Sequence, residues 1–521
     1  MQRRIYYNAN ILTQDKKNPK ASAFAVEGGK IIAVGQDEKV LSVKNPETEV
    51  IDLQNKTVLP GFNDAHIHIW KVGSLMTYTL DLRGVGSIDE MLDKINEYQK
   101  NNPQLTWIQA RGFNEANFPD KRIPNKNDLD KITCHKPICV TRTCAHQVVV
   151  NSKALEITGI TKTTTPPLGG EIKYLDNGDL AGHFTETAIG LIIKRIPKFT
   201  TEQYREMIMT AQDALLSQGI TSATDPAVEK DLIQVYKQMD AAGELKMRIN
   251  VFPIRIPDGS NTVYPLPEKY KSKHLNIDTV KFFADGGLSG KTAALKNPYK
   301  NSSDRGVLRL EKELFKKLTK ESQDAGFRIA THAIGDAAIE MVLETYNEIA
   351  SSNYKNINHR IEHLGLPSEY DLSLMSELNI SAVMQPVFIY ELGKNFKEYL
   401  PENYLNYVYP VRSVLDHKIN LSLSTDAPVV KDFSPQTNVS SAVNRRDVSG
   451  FEISPSQKIS LEDALYAYTM GSAIANGQQE VFGSIEEGKF ADFVIVNFGK
   501  DQDSSTFTVE QVYVNGKLSE N

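Results

Sequence analysis

Cysteine is scarce in this sequence, and long apolar runs are missing from it. The 521 residues include three cysteines, Cys134, Cys139 and Cys144, which form no CxxC pair. A disulfide framework is therefore not expected, and we predict reduced thiols in a cytoplasmic protein. No window approaches the roughly 18 uninterrupted apolar residues of a membrane span, and the first residues lack the apolar stretch of a signal peptide.

An excess of positive charge is also missing. The formal net charge is −6, and no run of lysine or arginine marks a basic patch. We therefore expect no binding to nucleic acid or to a membrane, and the predicted partner is a small-molecule substrate. At 521 residues the chain is too long for one ordinary core, so a large domain with additions is predicted. Whether it forms a homo-oligomer stays open.

The two ends of the chain have the same strand-like character. Apolar runs occupy residues 5–13, 21–35, 491–496 and 509–514, and Gly28-Gly29 reads as a hairpin turn between two of them. Because chain termini often lie close together, both ends can complete one small β domain. We assign residues 1–58 and 480–521 to it.

The middle of the chain alternates short apolar strands with amphipathic helices, such as those predicted at residues 201–217, 336–350 and 368–378. Such alternation predicts a parallel sheet. Eight strands are expected, the first ending at residues 66–68 and the others at 219–225, 247–254, 279–285, 327–332, 359–364, 380–385 and 421–426. Eight β/α units predict an α/β fold of the TIM (β/α)8 barrel type over residues 59–479. The interval of about 71–200 is too long for one connection and predicts an inserted subdomain.

Barrel enzymes carry their chemistry at the C-terminal ends of the strands. Titratable side chains inside an apolar barrel mouth are costly unless they are paired or bound to a metal, and imidazole and carboxylate suit zinc and similar divalent ions. His66 and His68 alternate onto one strand face, although alone they fit two structural histidines equally well. The residues at these strand ends are His66, His68, Lys281, His332, His363 and Asp426.

Lys281 is informative because an ammonium group beside metal ligands would be repelled by the metal. As a neutral amine it can react with carbon dioxide and form a carbamate, an anion able to bridge two metal ions. The alternative is an ordinary lysine paired with Asp285 or another carboxylate.

Asp426 combines two functions in this interpretation. It can bind a metal, and it can accept a proton from the water that the metal activates at neutral pH. The alternative is a helix cap or a loop turn.

Three residues outside the strand ends are predicted to contact substrate. His146, in the insertion, can reach over the barrel mouth and orient a carbonyl group, although a surface or core histidine fits the same position. Arg111 and Trp70 are the other two. His359 is interpreted as structural.

A glycine-rich segment follows the fourth predicted strand. Its sequence over residues 287–292 is similar to the end of a phosphate-binding P-loop, but Asp285 stands where that motif requires glycine. We predict instead that Gly286, Gly287 and Gly290 form a close-packed loop over the site.

Several motifs together carry a family resemblance. They are Leu59-Pro60-Gly61-Phe62 before His66-Ile67-His68, Asn151-Ser152 with Ala154-Leu155, residues 280–286, His332-Ala333-Ile334-Gly335-Asp336, Arg360-Ile361-Glu362-His363, Ser424-Thr425-Asp426 and Gly488-Lys489-Phe490-Ala491-Asp492. With them the chain resembles the amidohydrolase superfamily and, within it, the YtcJ-like metal-dependent hydrolases, the branch of N-substituted formamide deformylase. The branch often has an aspartate near Cys144 and an arginine near Lys291. This chain departs from the branch at both places, and the departures concern substrate contacts and not metal binding.

The resemblance implies a distorted barrel joined to a β-sandwich built from both chain ends. It also implies two metal ions, which we expect to be Zn²⁺, bridged by a carboxylated Lys281. By this resemblance one ion is held by His66, His68 and Asp426. The second ion is held by His332 and His363.

Together these features predict hydrolysis of a carbon–nitrogen bond other than a peptide bond, by attack of a metal-bound hydroxide on a substituted formamide or another small amide. One alternative is a deaminase with a single metal, although such enzymes usually have a glutamate soon after the fifth-strand histidine, and His332 is followed by Ala333-Ile334-Gly335-Asp336. A second alternative is a regulatory or binding protein that retains the barrel without catalysis.

Overall fold

The computed structural model describes residues 2–132, 135–257, 262–350, 358–499 and 505–519. At its centre lie eight parallel strands, one at each predicted position, and they are called the first to eighth central strands below. They are Phe62–Asp64, Ile220–Val228, Arg248–Pro253, Thr279–Phe283, Arg328–Ala333, Arg360–His363, Ser381–Met384 and Leu421–Leu423.

The central strands belong to two five-stranded sheets. The first three share a sheet with Tyr270–Lys271 and Leu275–Ile277, and the fourth to eighth follow one another in order in the second sheet. A parallel bridge between Ile254 and Lys281 links the third strand to the fourth. The chain therefore has an α/β fold, and its parallel strands bring their C-terminal ends together.

Helices fill most of the connections between these strands. The three predicted ones are confirmed at Thr201–Ser217, Asp336–Ile349 and Glu369–Glu377. Thr200 and Gln203 form a capping box at the start of the first of these, which satisfies two backbone N–H groups. In the described part of the chain, no helix has the length and apolar character needed to cross a membrane.

The remaining helices are shorter on average and lie throughout the chain. The α-helices are Asp37–Leu41, Ile69–Thr77, Ile88–Asn101, Lys126–Leu129, Ser152–Thr158, Gly190–Ile193, Lys230–Ala241, Lys312–Asp324, Val387–Tyr399, Glu402–Leu405, Val411–Asp416, Pro435–Asn444, Leu461–Ala467 and Met470–Ala475. The 3₁₀ helices are Glu115–Asn117, Thr187–Ile189, Leu288–Gly290 and Pro455–Gln457.

Strands from the two chain ends lie next to each other, as the sequence predicts. One sheet holds Lys517–Leu518, Phe507–Val514, Phe493–Phe498, Thr57–Pro60, Asn10–Leu12 and Lys20–Ala21, in that order. The other holds Lys30–Gly35, Ala23–Glu27, Arg4–Tyr7 and Glu49–Asp52. Rings from both sheets pack together, with Phe24 and Phe493 4.9 Å apart between centroids. The predicted hairpin is present, and Gly28 and Gly29 supply its positive φ angles of 62° and 81°.

Residues between the first and second central strands form a sheet of their own. Its strands are Gly170–Tyr174, Leu180–Glu186, Gln147–Val150, Ile138–Arg142, Ile108–Phe113 and Leu80–Asp81, in that order. Hydrogen bonds tie this sheet to loops at the C-terminal ends of the central strands. Thr143 donates to the Val429 carbonyl at 2.8 Å and Arg142 to the Ser289 carbonyl at 2.7 Å. The insertion therefore covers the edge where the predicted site residues lie.

Three central strands end at least two residues earlier than predicted. The first ends at Asp64, the fourth at Phe283 and the eighth at Leu423. The prediction that His66 and His68 share a face of one strand is therefore wrong. Their backbone has left the ladder because the Asp64 carboxylate accepts the N–H groups of His66 and Thr425, each at 3.2 Å.

Candidate metal centre

His66, His68 and Asp426 converge just beyond the first and eighth central strands. Their nitrogen and oxygen ligand atoms lie within 4.8 Å of one another. Asp426 Oδ1 is 3.4 Å from His66 Nε2 and 3.3 Å from His68 Nε2. Two backbone bonds hold the segments together, from Asp426 N to the His66 carbonyl at 2.7 Å and from His68 N to the Ala427 carbonyl at 2.9 Å. This donor set suits a divalent metal ion.

His332 and His363 extend this group along the strand ends. Their ring centroids are 4.5 Å apart, and the His363 centroid is 4.9 Å from that of His66. His363 Nδ1 is 2.7 Å from Oε1 of Gln385, an acceptor, so Nδ1 donates and Nε2 keeps its lone pair. His332 Nε2 donates to the Gly286 carbonyl at 3.0 Å, which leaves the lone pair of the neutral ring on Nδ1.

Lys281 lies on the fourth central strand and is fully buried. Its Nζ is 4.8 Å from the centroid of the Phe283 ring, and that centroid is 5.2 Å from the centroid of the His332 ring. Asp285, the partner considered for Lys281, accepts N–H groups from Ile334 at 3.0 Å and Gly335 at 2.8 Å. Asp285 therefore joins the loops after the fourth and fifth central strands.

Burial and charge set the protonation states of three of these histidines and of Asp426. Burial lowers the pKa of His68 and of His363 to about 3, and that of His332 well below its usual value. Burial opposes ionisation of Asp426, but hydrogen bonds from His66 and His68 hold its pKa well below the usual range. Neutral imidazoles and an ionised carboxylate are the forms that bind metal.

Glu362 is a residue of this site to which the sequence assigns no function. Its Oε2 accepts a hydrogen bond of 2.5 Å from His66 Nδ1, which directs His66 Nε2 toward Asp426. Arg360 holds the same carboxylate through bonds of 2.5 and 2.9 Å. Burial lowers the pKa of His66, but Glu362 and Asp426 outweigh this and raise it. The same two negative charges favour a metal cation.

Comparison with known proteins identifies the family to which this chain belongs. Residues 49–519 match the Amidohydrolase family. The chain belongs to this family. The resemblance to its YtcJ-like branch is confirmed by two relatives, each 28% identical. N-substituted formamide deformylase of Arthrobacter pascens matches over 94% of this chain and 92% of its own length. YtcJ of Bacillus subtilis matches over 95% and 94%, respectively.

A solved structure that is similar to this chain is also that of a hydrolase. A metal-dependent hydrolase of Pyrococcus horikoshii aligns with a TM-score of 0.75 and 25% identity, over 99% of this chain and all of its own. The amidohydrolase described here is therefore a hydrolase with a site for a divalent metal.

His146 lies over the fifth-strand end of this amidohydrolase. Its ring centroid is 5.4 Å from that of His332, and its Nδ1 is 2.9 Å from Glu186 Oε2. The glycine loop packs tightly beside it. A Cβ at Gly286 would lie 2.2 Å from Glu186 Oε1, and one at Gly287 would lie 3.7 Å from His146 Cδ2. A side chain at Gly286 would therefore collide with the insertion, whereas one at Gly287 would make ordinary contact.

Arg111 and Trp70 have different surroundings. Arg111 is 8% exposed, and burial lowers its pKa to about 10. Trp70 packs its ring against Tyr204 at 5.5 Å and Phe199 at 6.5 Å. This aromatic packing gives Trp70 a structural function, and its predicted contact with substrate stays a prediction.

Two further predictions concern His359 and the cysteines. His359 Nδ1 accepts the N–H of Ile329 at 3.2 Å, and its Nε2 is 2.8 Å from Gln323 Oε1, which fits the structural function predicted for it. Cys139 and Cys144 are buried free thiols, and burial raises the pKa of Cys139 to about 12. Cys134 lies outside the described residues.

Proposed function

We propose that this amidohydrolase cleaves a carbon–nitrogen bond other than a peptide bond, in an N-substituted formamide or another small amide. The observation that carries the proposal is the buried convergence of His66, His68 and Asp426 within 4.8 Å. The relative named N-substituted formamide deformylase supports the choice of substrate class.

The proposal includes two Zn²⁺ ions. His66, His68 and Asp426 would hold one, and His332 and His363 the other. Lys281, carboxylated by carbon dioxide with release of a proton, would bridge them. The short distances between the imidazole rings and the complete burial of Lys281 support this arrangement. When bound, such ions polarise a carbonyl group and lower the pKa of water.

Asp426 acts as the proton carrier in this proposal. Its carboxylate is ionised, so it can accept the proton of the attacking water and return it to the leaving nitrogen. His146 orients the substrate carbonyl, and Glu186 fixes its ring through the 2.9 Å bond. Arg111 and Trp70 complete the proposed substrate contacts.

The proposed architecture is a distorted (β/α)8 barrel over residues 59–479, with an insertion at about 71–200 and a β-sandwich from residues 1–58 and 480–521. Two connections support a closed barrel, the bridge between Ile254 and Lys281 and the bond from Asp426 N to the His66 carbonyl. The cytoplasmic location and any homo-oligomer stay predictions.

Formate release from N-alkylformamides by metal-stripped and zinc-reconstituted protein tests the function. We expect activity only after reconstitution, and we expect Asp426→Asn to abolish it. Asp416→Asn is the matched control, because Asp416 is 54% exposed in a pair with Arg412. Full activity of the stripped protein, or unchanged turnover of Asp426→Asn, would contradict the proposal.

The deaminase with one metal is the second candidate. In the described residues, the close ligand group holds three members, His66, His68 and Asp426, enough for one ion. Elemental analysis separates the two candidates. About two zinc ions per chain support the proposal, and one ion with ammonia released from amine substrates supports the deaminase.

A further inference from the structure

Arg111 is a buried cation at the edge of the insertion that covers the metal centre. It lies on the strand Ile108–Phe113 and is 8% exposed. Its Nε and Nη2 are buried, and neither makes a hydrogen bond to a described residue. A guanidinium keeps its charge under all ordinary conditions, so leaving donors unsatisfied in the interior is costly. Such a group is retained where a ligand satisfies it.

The strand that carries Arg111 is fixed beside the segment that follows Asp426. Arg83, two residues beyond the neighbouring strand Leu80–Asp81, donates to the Val430 carbonyl at 2.9 Å. A Cβ at Gly112 would lie 2.4 Å from Arg83 Cγ, so Gly112 faces Arg83. Among the charged groups around Arg111, the Asp426 carboxylate does most to raise the pKa of the guanidinium, against the lowering by burial.

The acidic residues near this strand are already neutralised by other arginines. Asp81 pairs with Arg83 through bonds of 2.8 and 2.9 Å. Glu115 pairs with Arg142 through two bonds of 2.8 Å. Asp426 is engaged with His66 and His68, so the positive charge of Arg111 is available to a ligand.

We propose that Arg111 binds a carboxylate on the substrate, so that the amide cleaved by this enzyme bears an acid group, as in N-acyl amino acids. The inference rests on the proposed function, because it names the substrate class of the same site. A guanidinium fork can satisfy both oxygens of a carboxylate through charge-assisted hydrogen bonds.

Matched substrate pairs test the inference. The acidic members are the N-formyl derivatives of glycine, β-alanine and 4-aminobutyrate, and the neutral members are N-ethyl-, N-propyl- and N-butylformamide. We expect kcat/KM of the wild type to favour at least one acid about tenfold or more over its neutral counterpart. Equal kcat/KM within all three pairs would overturn the proposal.

Variants at Arg111 identify the group responsible for the preference. Arg111→Gln should bring the acid-to-neutral ratio of kcat/KM close to one, and Arg111→Lys should retain part of the ratio. Arg412→Gln is the charge-matched control, since Arg412 is 51% exposed, and we expect it to keep the wild-type ratio. A variant Arg111→Gln that lowers both substrates equally would contradict the proposal.

Calorimetry with metal-free protein separates this inference from the proposed function. N-formyl-β-alanine should bind the wild type, and Arg111→Gln should raise Kd about tenfold or more. Binding that depends on Arg111 without any formate release would keep the inference and refute the function. Unchanged binding by a folded Arg111→Gln variant, checked by thermal unfolding, would refute the inference. If that variant does not fold, Arg111→Lys and the wild-type ratio decide.

Discussion

Replacing Glu362 by glutamine tests how the centre positions its first imidazole. The substitution keeps the shape of the side chain but removes its charge, while Arg360 and His66 stay buried around it. Breaking a buried ion pair by removing one partner costs about 3–5 kcal/mol. Loss of the carboxylate that orients a metal-binding histidine lowers metal affinity about 10–100-fold, equivalent to about 1.4–2.8 kcal/mol.

Two assays measure these effects on Glu362→Gln. Urea unfolding of the metal-free protein reports the loss of stability, and zinc titration in chelator buffers reports affinity for protein that circular dichroism shows to be folded. Glu321→Gln is the matched control, because Glu321 is 47% exposed and 3.2 Å from Arg255. We expect it to cost within about 1 kcal/mol and to leave zinc affinity unchanged. Zinc affinity of Glu362→Gln within about twofold of the wild type would refute the reasoning.

Two further predictions concern the strands and loops around the centre. Burial raises the pKa of Asp225 from 3.8 to about 7, although Tyr236 donates a hydrogen bond to it. Because the folded pKa is the higher one, the free energy of unfolding relative to Asp225→Asn should fall as pH rises from about 4 to about 7, and a flat difference in urea unfolding would contradict this. Gly286→Ala should lower the free energy of unfolding by about 1–3 kcal/mol, because its Cβ would collide with Glu186 and Thr292. Gly86→Ala has room, with its nearest neighbour at 3.6 Å, and an equal loss in both variants would count against the close packing.

Local patterns in the sequence are sufficient to predict three of the helices and the positions of the central strands. The helix Thr201–Ser217 begins where Thr200 and Gln203 supply a capping box, a signal contained within four residues. Strand ends are less predictable because they depend on distant partners. The first central strand ends at Asp64, whose carboxylate binds the backbone of Thr425, 361 positions away.

The residues of the candidate metal centre also differ in how far local sequence predicts them. Reading only the C-terminal ends of the strands identifies the six residues predicted as ligands but misses Glu362. Strand alternation places Glu362 on the face opposite His363. The structure departs from alternation at this point, since His363 has a φ of 75°. His66, the partner of Glu362, lies 296 positions away in the sequence. A charged pair two residues apart on one central strand, Arg360 and Glu362, is the signal that could have identified the residue.

The most direct test of the central claim is a crystal structure of zinc-loaded protein with anomalous data at the zinc edge. We predict two anomalous peaks, one beside His66, His68 and Asp426 and one beside His332 and His363. Density for a carbamate on Lys281 should lie between them. A single peak beside an unmodified lysine would contradict the binuclear centre, and no peak at these side chains would contradict the metal site itself.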